Sequence, residues 1–348
     1  MFGLREVKIP GICQRLIRGR EPLIVNGLRW GFLSAGGIAT AVADDFRIAG
    51  MTIQAVGARD LAKANEFADK FGIPNRHQGY EALVNDPEVD VVYVSTPHPW
   101  HHQHTLLALN AGKHVLLEKP FTINAREAQE IKDLAASKNL FVLEAMWTRF
   151  LPSMDAIFDV IRSGTLGEIK LITADHSQYL PHVPRLWEPE LGGGALLDLG
   201  IYPVSFAIRT LGFPEKVTAK ATLTSDKVDE TTSIIFEYPS GAQATLTTTM
   251  AAAGPVTATV VGTFGRIEID KSFYNQTSFR VYNQGGEVIQ SYDEKIAGIG
   301  RQYQGLHLEK CVAEGLTESP ILSVTESVKI MEVMDTLRAQ IGVKYPTE

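Results

Sequence analysis

Two short segments of the sequence carry side chains that can move a proton or hold a substrate oxygen. Lys119 stands between Glu118 and Pro120, directly after a short apolar segment. An ammonium group placed there can hydrogen-bond a substrate oxygen and lower the pKa of a neighbouring acid. Asp198 and Tyr202 follow three consecutive glycines and are four residues apart, so on a helix they share one face. A carboxylate and a phenol at one point suit the hydroxyls of a sugar or diol, with Tyr202 giving or taking the proton.

Both segments also have a structural interpretation. Glu118 and Lys119 can simply close a turn, and Asp198 and Tyr202 can make structural hydrogen bonds at a glycine-rich helix start. The position of Lys119 at the end of a predicted strand favours chemistry, whereas for Asp198 and Tyr202 the residues alone leave both interpretations open.

The elements that position Lys119 alternate between strands and helices. Apolar strands are predicted at residues 28–33, 51–57, 89–95, 114–117 and 141–144, with helical patterns between them. Such alternation predicts a parallel sheet covered on both faces. Ligands bind these sheets at the carboxyl ends of strands, which selects residues 34–38, 95–101 and 118–120.

The first of these strand ends carries a glycine-containing turn before a helix. Ser34, Gly36 and Ala39 occupy the three positions of the G-x-G-x-x-G/A dinucleotide fingerprint, so the first glycine is replaced. Backbone N–H groups of Ser34, Gly36, Gly37 and Ile38 are expected to face a pyrophosphate, because a helix N-terminus attracts anions. An ordinary glycine-containing loop remains the alternative for this turn considered alone.

The residue after the second strand indicates which dinucleotide binds. An NAD site would place Asp or Glu there, whereas this sequence has Arg59 after Gly57 and Ala58. A guanidinium can hold a 2′-phosphate, so NADP is predicted, with NAD the less favoured cofactor. Asp60 is expected to cap the next helix.

Four histidines lie within seven residues after the third strand. They follow a Pro-broken loop without a carboxylate or cysteine among them, so no metal site is expected. Thr96, Pro97 and His98 are instead expected to contact the cofactor, with Glu118 beside them, and His101 is expected to reach the cofactor or the substrate.

The second half has a different pattern and defines the domain organisation. Long alternating segments, rich in Thr between residues 242 and 250, predict a large open sheet. The expected fold is therefore α/β: a Rossmann domain followed by an α+β domain with a mostly antiparallel sheet. We expect an N-terminal arm at residues 1–27, or a start placed too early, then domains at residues 28–149 and 150–348.

Composition excludes several classes of protein. The 348 residues have a net charge of −7 and two cysteines, which argues against nucleic-acid binding and a disulfide framework. No secretory signal and no apolar run near the roughly 18 residues of a membrane helix is evident. We therefore expect a cytoplasmic protein without a membrane partner.

Taken together, the motifs resemble a known family. The glycine turn, Thr96-Pro97-His98, residues 111–115 leading into Glu118-Lys119-Pro120, and residues 192–202 occur in the order found in the glucose–fructose oxidoreductase and inositol dehydrogenase (Gfo/Idh/MocA) family. The similarity covers residues 28–346. Residues 144–150, 182–185 and 195–202 are most similar to the branch of NADP-dependent dihydrodiol and D-xylose dehydrogenases.

The resemblance implies an NADP-dependent dehydrogenase of sugars or trans-dihydrodiols. Lys119 and Tyr202 would be the catalytic pair, Asp198 would orient a substrate hydroxyl, and Trp147 and Arg185 would line the crevice. A homodimer, or a higher oligomer, through the open sheet is also implied. Two alternatives stay open: a sugar–sugar oxidoreductase that retains its NADP(H), and a non-catalytic NADP(H) sensor.

Overall fold

The computed structural model describes residues 27–348, which form two sheets flanked by helices. The predicted N-terminal arm, apart from residue 27, lies outside these residues. The elements of the first half are β1 (Trp30–Leu33), α1 (Gly37–Ile48), β2 (Ile53–Ala58), α2 (Leu61–Phe71), β3 (Asn75–Gln78), α3 (Tyr80–Val84), β4 (Val91–Val94), α4 (His101–Asn110), β5 (His114–Glu118), α5 (Ala125–Lys138) and β6 (Val142–Ala145).

The six strands of the first half form the predicted parallel sheet, in the order β3-β2-β1-β4-β5-β6. Strands β1 and β4 are buried throughout, which explains their continuous apolar sequences, and β6 is also buried although it contains Glu144. Strand β3 was missed because its sequence is polar and half of it is exposed. The Asp60 side chain accepts a hydrogen bond from Ala62 N at 2.8 Å, so the predicted cap of α2 is confirmed.

The elements of the second half are α6 (Pro152–Arg162), β7 (Ile169–Ser177), a π-helical turn (Leu196–Gly200), α7 (Ile201–Leu211), β8 (Lys216–Leu223), β9 (Asp229–Glu237), β10 (Gln243–Thr249), β11 (Ala258–Gly262), β12 (Gly265–Ile269), β13 (Phe279–Asn283), β14 (Val288–Tyr292), α8 (Gln302–Ala313) and α9 (Val324–Ile341).

The strands of the second half form an eight-stranded sheet in the order β14-β13-β12-β11-β7-β10-β9-β8. All neighbours are antiparallel except β7 and β10, so the predicted fold class is confirmed.

The C-terminal helix α9 joins the two halves, because it lies against α5 of the first half and β8 of the second. The buried Glu144 carboxylate at the end of the first sheet accepts a 2.7 Å hydrogen bond from Ser327 of this helix. We propose the domain boundary at residues 149 and 150, since the first sheet ends at Ala145 and α6 begins at Pro152.

One helical stretch of the described residues, Pro189–Leu211, has the length and composition of a membrane-crossing helix. This corrects the expectation that no such run exists. Of its most apolar window, 94% is buried inside the protein. Such burial is typical of a core helix, and this stretch carries both Asp198 and Tyr202.

The turn between β1 and α1 holds its first residue in a conformation that favours glycine. Ser34 has a φ of 106°, and its N–H donates to the Gly57 carbonyl at 2.9 Å. Gly36 precedes α1 in extended conformation, and a Cβ on Gly37 would meet no protein atom within 4 Å. The N-terminus of α1 therefore faces open space, as an anion-binding turn requires.

The left-handed φ predicts that Ser34→Gly stabilises the protein. Relief of backbone strain on the order of 1–3 kcal/mol outweighs the roughly 0.4–1 kcal/mol by which a glycine favours the unfolded chain. We expect the free energy of unfolding in urea to rise by about 1 kcal/mol. Ser34→Ala keeps the Cβ atom and should give no such gain. An equal gain for both variants, or none for Ser34→Gly, would contradict the strain.

Candidate active site

A cleft of about 1320 Å³ runs from the carboxyl ends of the parallel strands into the second half. It gathers residues that lie as far apart in the sequence as positions 34 and 301. The site residues predicted from the sequence all line it: Ser34, Gly36, Gly37, Ile38, Arg59, Thr96, Pro97, His98, His101, Glu118, Lys119, Trp147, Arg185, Asp198 and Tyr202.

The Lys119 ammonium group lies at the centre of this cleft. Its Nζ donates to the carbonyl oxygen of Asp198 at 2.7 Å and to Asp198 Oδ1 at 2.8 Å. The same Nζ lies 4.9 Å from the centre of the Tyr202 ring. Burial alone would lower the pKa of Lys119, but attraction to Asp198 and Tyr202 outweighs it and raises the pKa. Lys119 is therefore a fixed cation beside the phenol.

The Asp198 carboxylate forms ion pairs with two cationic side chains. Besides Lys119, it binds Arg185 through both carboxylate oxygens at 3.1 Å. Burial disfavours the charged form, but Lys119, Arg185 and the nearby His98 lower the pKa of Asp198 well below its usual value. The carboxylate thus holds the Lys119 ammonium and the Arg185 guanidinium, and the expectation that Asp198 orients a substrate hydroxyl stays a prediction.

The helix geometry around Asp198 and Tyr202 also differs from the prediction. Asp198 lies in the π-helical turn and Tyr202 in the first turn of α7, so they do not share one face of a regular α-helix. Single π-helical turns occur frequently at functional sites. The buried Asp229 carboxylate accepts a 2.7 Å hydrogen bond from Leu196 N and thereby fixes the start of this turn.

The Tyr202 hydroxyl is oriented by Trp147, whose Nε1 donates to it at 3.1 Å. The rings of His176 and Tyr274 lie 5.0 Å from the Tyr202 ring. Burial raises the pKa of Tyr202, and the opposing effect of Lys119 does not cancel this rise. The predicted lowering of the Tyr202 pKa by the Lys119 ammonium is therefore present but smaller than the rise caused by burial. Tyr202 is accordingly a neutral phenol near pH 7.

Two of the histidines after β4, His98 and His101, contact backbone carbonyl oxygens around the cleft. His101 is fully buried, and its ring nitrogens contact the carbonyl oxygens of Thr96 at 2.8 Å and Pro120 at 2.9 Å. Both ring nitrogens thus face backbone carbonyl oxygens, and the expectation that His101 reaches the cofactor or the substrate stays a prediction. His98 contacts the Gly192 carbonyl at 3.2 Å, and burial lowers its pKa to about 3. Between residues 27 and 348 no three His, Cys, Asp or Glu side chains are grouped to hold a metal ion.

Two buried carboxylates fix the segment that carries Lys119. Glu118 accepts hydrogen bonds from the Tyr93 hydroxyl at 2.5 Å and from Lys119 N at 3.2 Å. Glu144 accepts from Phe121 N at 3.1 Å, and burial raises its pKa to about 7. The Lys119-Pro120 peptide bond is cis. The backbone on both sides of Lys119 is thus tied to neighbouring strands.

Sequence reasoning missed several residues of the cleft. His176 is the penultimate residue of β7, Gln178 follows that strand, Tyr274 lies in a loop, and Arg301 directly precedes α8. Gln178 Nε2 contacts His176 Nε2 at 2.8 Å and the Tyr274 hydroxyl at 3.1 Å. The position of His176 in a predicted strand was a usable signal, because a histidine on the buried face of that strand can contact the segment that carries Tyr202. In the structure its Nδ1 contacts the Leu199 carbonyl at 3.0 Å. Nothing in the local sequence singles out Tyr274 or Arg301.

The residues of the cleft fit a dinucleotide. Open space at Gly37 leaves the N–H groups of α1 accessible to a pyrophosphate. Arg59 is exposed at the cleft beyond β2 and interacts with the phenol of Tyr80. The volume exceeds the roughly 300–1,000 Å³ of ordinary small-molecule pockets, so a nucleotide and a substrate can bind together.

Both halves match profiles of known families. Residues 28–145 match an oxidoreductase family with an NAD-binding Rossmann fold, which confirms the predicted dinucleotide-binding domain. Residues 154–268 match the GFO/IDH/MocA C-terminal domain.

Individual relatives extend this similarity over most of the chain. The trans-1,2-dihydrobenzene-1,2-diol dehydrogenase of Mus musculus is 38% identical over 330 residues, covering 92% of this chain and 99% of the relative. The human enzyme of that name is 36% identical with the same coverage. Among solved structures, the 3-ketoreductase KijD10 of Actinomadura kijaniata, in complex with NADP and TDP-benzene, is 25% identical with a TM-score of 0.80, covering 91% of this chain and 98% of its own. The chain belongs to the GFO/IDH/MocA family of oxidoreductases.

Proposed function

We propose that this oxidoreductase uses NADP to oxidise, or in reverse to form, the CH–OH carbon of a sugar or trans-dihydrodiol. The observation that carries the proposal is the Lys119 ammonium, fixed by Asp198 against the Tyr202 ring in the cleft that also contains the glycine turn. The names of the relatives favour a diol, and the NADP in the KijD10 complex favours that cofactor.

The proton transfer follows from the geometry around Tyr202. When bound, the nicotinamide supplies or accepts the hydride at its C4 atom. In the oxidative direction Tyr202 first releases its proton to water. The resulting phenolate, beside the Lys119 ammonium, takes the proton of the substrate hydroxyl as the substrate carbon loses a hydride. In the reductive direction the neutral Tyr202 phenol donates its proton to the carbonyl oxygen. Lys119 hydrogen-bonds that oxygen and stabilises negative charge on it.

Removal of the Tyr202 hydroxyl tests the proton transfer. Tyr202→Phe should lower kcat by about 10²–10⁴-fold, since proton transfer loses its acceptor. NADPH binding, followed by fluorescence titration, should stay nearly unchanged. Tyr238→Phe is a matched control, because Tyr238 is buried outside the cleft and its hydroxyl has no hydrogen-bond partner. A Tyr202→Phe enzyme with wild-type turnover would refute the assignment.

We further propose that Arg59 selects NADP by holding the 2′-phosphate. It is the residue that follows β2, where NAD-specific sites carry a carboxylate, and the adjacent Asp60 is already used as a helix cap.

The corresponding prediction compares the two cofactors. Arg59→Ala should raise the KM for NADP by about 10–100-fold, because a hydrogen bond to a charged group is lost, and should leave the KM for NAD unchanged. Arg76→Ala is the control, since Arg76 pairs with Asp69 outside the cleft lining. An equal loss for both cofactors would contradict the phosphate role.

The alternatives from the sequence stay predictions with their own readouts. Cofactor that co-purifies in stoichiometric amount would indicate a sugar–sugar oxidoreductase. NADPH binding without oxidation of any sugar or diol would indicate a sensor. The cytoplasmic location also stays a prediction.

We propose that the protein forms a homodimer through the open face of the eight-stranded sheet. Along β10 the side chains alternate strictly between buried and accessible positions, and the accessible ones include Thr245 and Thr247. On the neighbouring strand β9, Ile235 is 42% exposed on the same face. A flat face with exposed apolar and Thr side chains suits a two-fold contact.

A charge placed on this face tests the dimer. The wild-type protein should sediment at twice the mass of one chain, and Ile235→Asp should sediment as the monomer, because a two-fold axis brings the introduced charges together. Ile48→Asp is the control, because Ile48 is 50% exposed at the end of α1 and outside the sheet. This variant should sediment with the same mass as the wild type. A monomeric wild-type protein at micromolar concentration would overturn the proposal.

A further inference from the structure

Arg301 is a cleft residue that the proton transfer does not use. It directly precedes α8 and borders the cleft, and its guanidinium carbon lies 5.0 Å from the centre of the Trp147 ring. Its side chain is only 17% exposed. Because Trp147 Nε1 also hydrogen-bonds the Tyr202 hydroxyl, Arg301 and the catalytic phenol contact the same indole.

The guanidinium of Arg301 is incompletely paired. Its Nε and Nη1 atoms are buried without a hydrogen-bond partner. The neighbouring carboxylate is that of Asp45. Its Oδ2 lies 3.9 Å from Arg301 Nη1, which is beyond hydrogen-bond distance. The Asp45 oxygens instead accept backbone N–H groups of Ile299 at 3.0 Å and Arg301 at 2.9 Å. A buried charged donor without a partner is costly, so a ligand that pairs with it gains affinity.

The other charged groups near Tyr202 are already paired. Lys119 and Arg185 share the Asp198 carboxylate. Glu118, whose charge interacts with Arg301, accepts from Tyr93 and from Lys119 N. Arg301 therefore differs from the other two cations in having no carboxylate at hydrogen-bond distance.

We propose that Arg301 binds a carboxylate group of the substrate, so that the preferred substrate class is an anionic sugar such as a uronate. This inference rests on the proposed function, because it assigns a substrate to the same cleft. The Tyr202 hydroxyl and the Arg301 guanidinium both contact Trp147 and both line the cleft, so one sugar is expected to meet the two groups together. A planar guanidinium matches a carboxylate with two parallel N–H bonds.

Three sugars with one ring configuration test the charge at a single position. D-Xylose, D-glucose and D-glucuronate differ at C5, where they carry hydrogen, CH₂OH and carboxylate. With NADP, the wild-type kcat/KM for glucuronate should exceed that for xylose and glucose by about 10–100-fold, the factor expected of a charge-assisted hydrogen bond. A preference for glucose 6-phosphate over glucuronate would assign a phosphate and overturn the carboxylate.

Variants of Arg301 separate its charge from its packing. Arg301→Met keeps an unbranched side chain against Trp147 and should reduce the glucuronate-to-xylose ratio to about one, while Arg301→Lys should retain part of it. Arg126→Met is the matched control, because Arg126 is exposed on α5 and pairs with Glu130. An unchanged ratio in Arg301→Met would overturn the assignment.

Binding to the NADPH-bound enzyme provides a readout without turnover. Calorimetry should show glucuronate binding about 10-fold or more tighter than xylose in the wild type and with equal affinity in Arg301→Met. If xylose or a trans-dihydrodiol is oxidised without a glucuronate preference, the inference fails and the proposed function stands. If no sugar or dihydrodiol reduces NADP, the proposed function fails, and the calorimetric comparison still decides the role of Arg301.

Discussion

The buried ion pair between Lys119 and Asp198 is the contact on which the site depends, because its partners come from different halves of the chain. Lys119 follows the last residue of β5, and Asp198 lies in the π-helical turn before α7. Removing one partner of such a pair leaves an uncompensated buried charge at a cost of roughly 3–5 kcal/mol. The pair therefore fixes the position of the second half against the nucleotide-binding sheet as well as the position of the ammonium.

The π-helical turn explains how one ammonium binds both the backbone and the side chain of Asp198. Pro203 stands five residues after Asp198 and has no N–H to donate to the Asp198 carbonyl in the π pattern. That carbonyl instead accepts from Lys119 Nζ at 2.7 Å. A deviation from regular helix geometry thus supplies an acceptor for the Lys119 ammonium inside the cleft.

Much of the fold and of the site was predictable because both follow from local patterns. Continuous apolar segments predict β1 and β4. A parallel sheet brings the residues after its strands to one edge, which is why one cleft is lined by Ser34, Arg59, Thr96 and Lys119. The orientation of a histidine ring does not follow from strand order. The ring nitrogens of His101 contact the carbonyl oxygens of Thr96 and Pro120, and these two residues come together only when the loops fold.

The direction of the Tyr202 pKa shift and the position of Arg301 were unpredictable for the same reason. Both depend on groups distant in sequence: the aromatic rings that exclude water from the phenol, and the backbone N–H groups that occupy Asp45. Trp147 contacts both Tyr202 and Arg301: its Nε1 donates to the Tyr202 hydroxyl, and the Arg301 guanidinium lies over its ring. A substrate that draws the guanidinium toward itself also acts on the indole that holds the phenol. In the proposed reaction, Trp147 would therefore link substrate recognition by Arg301 to proton transfer by Tyr202.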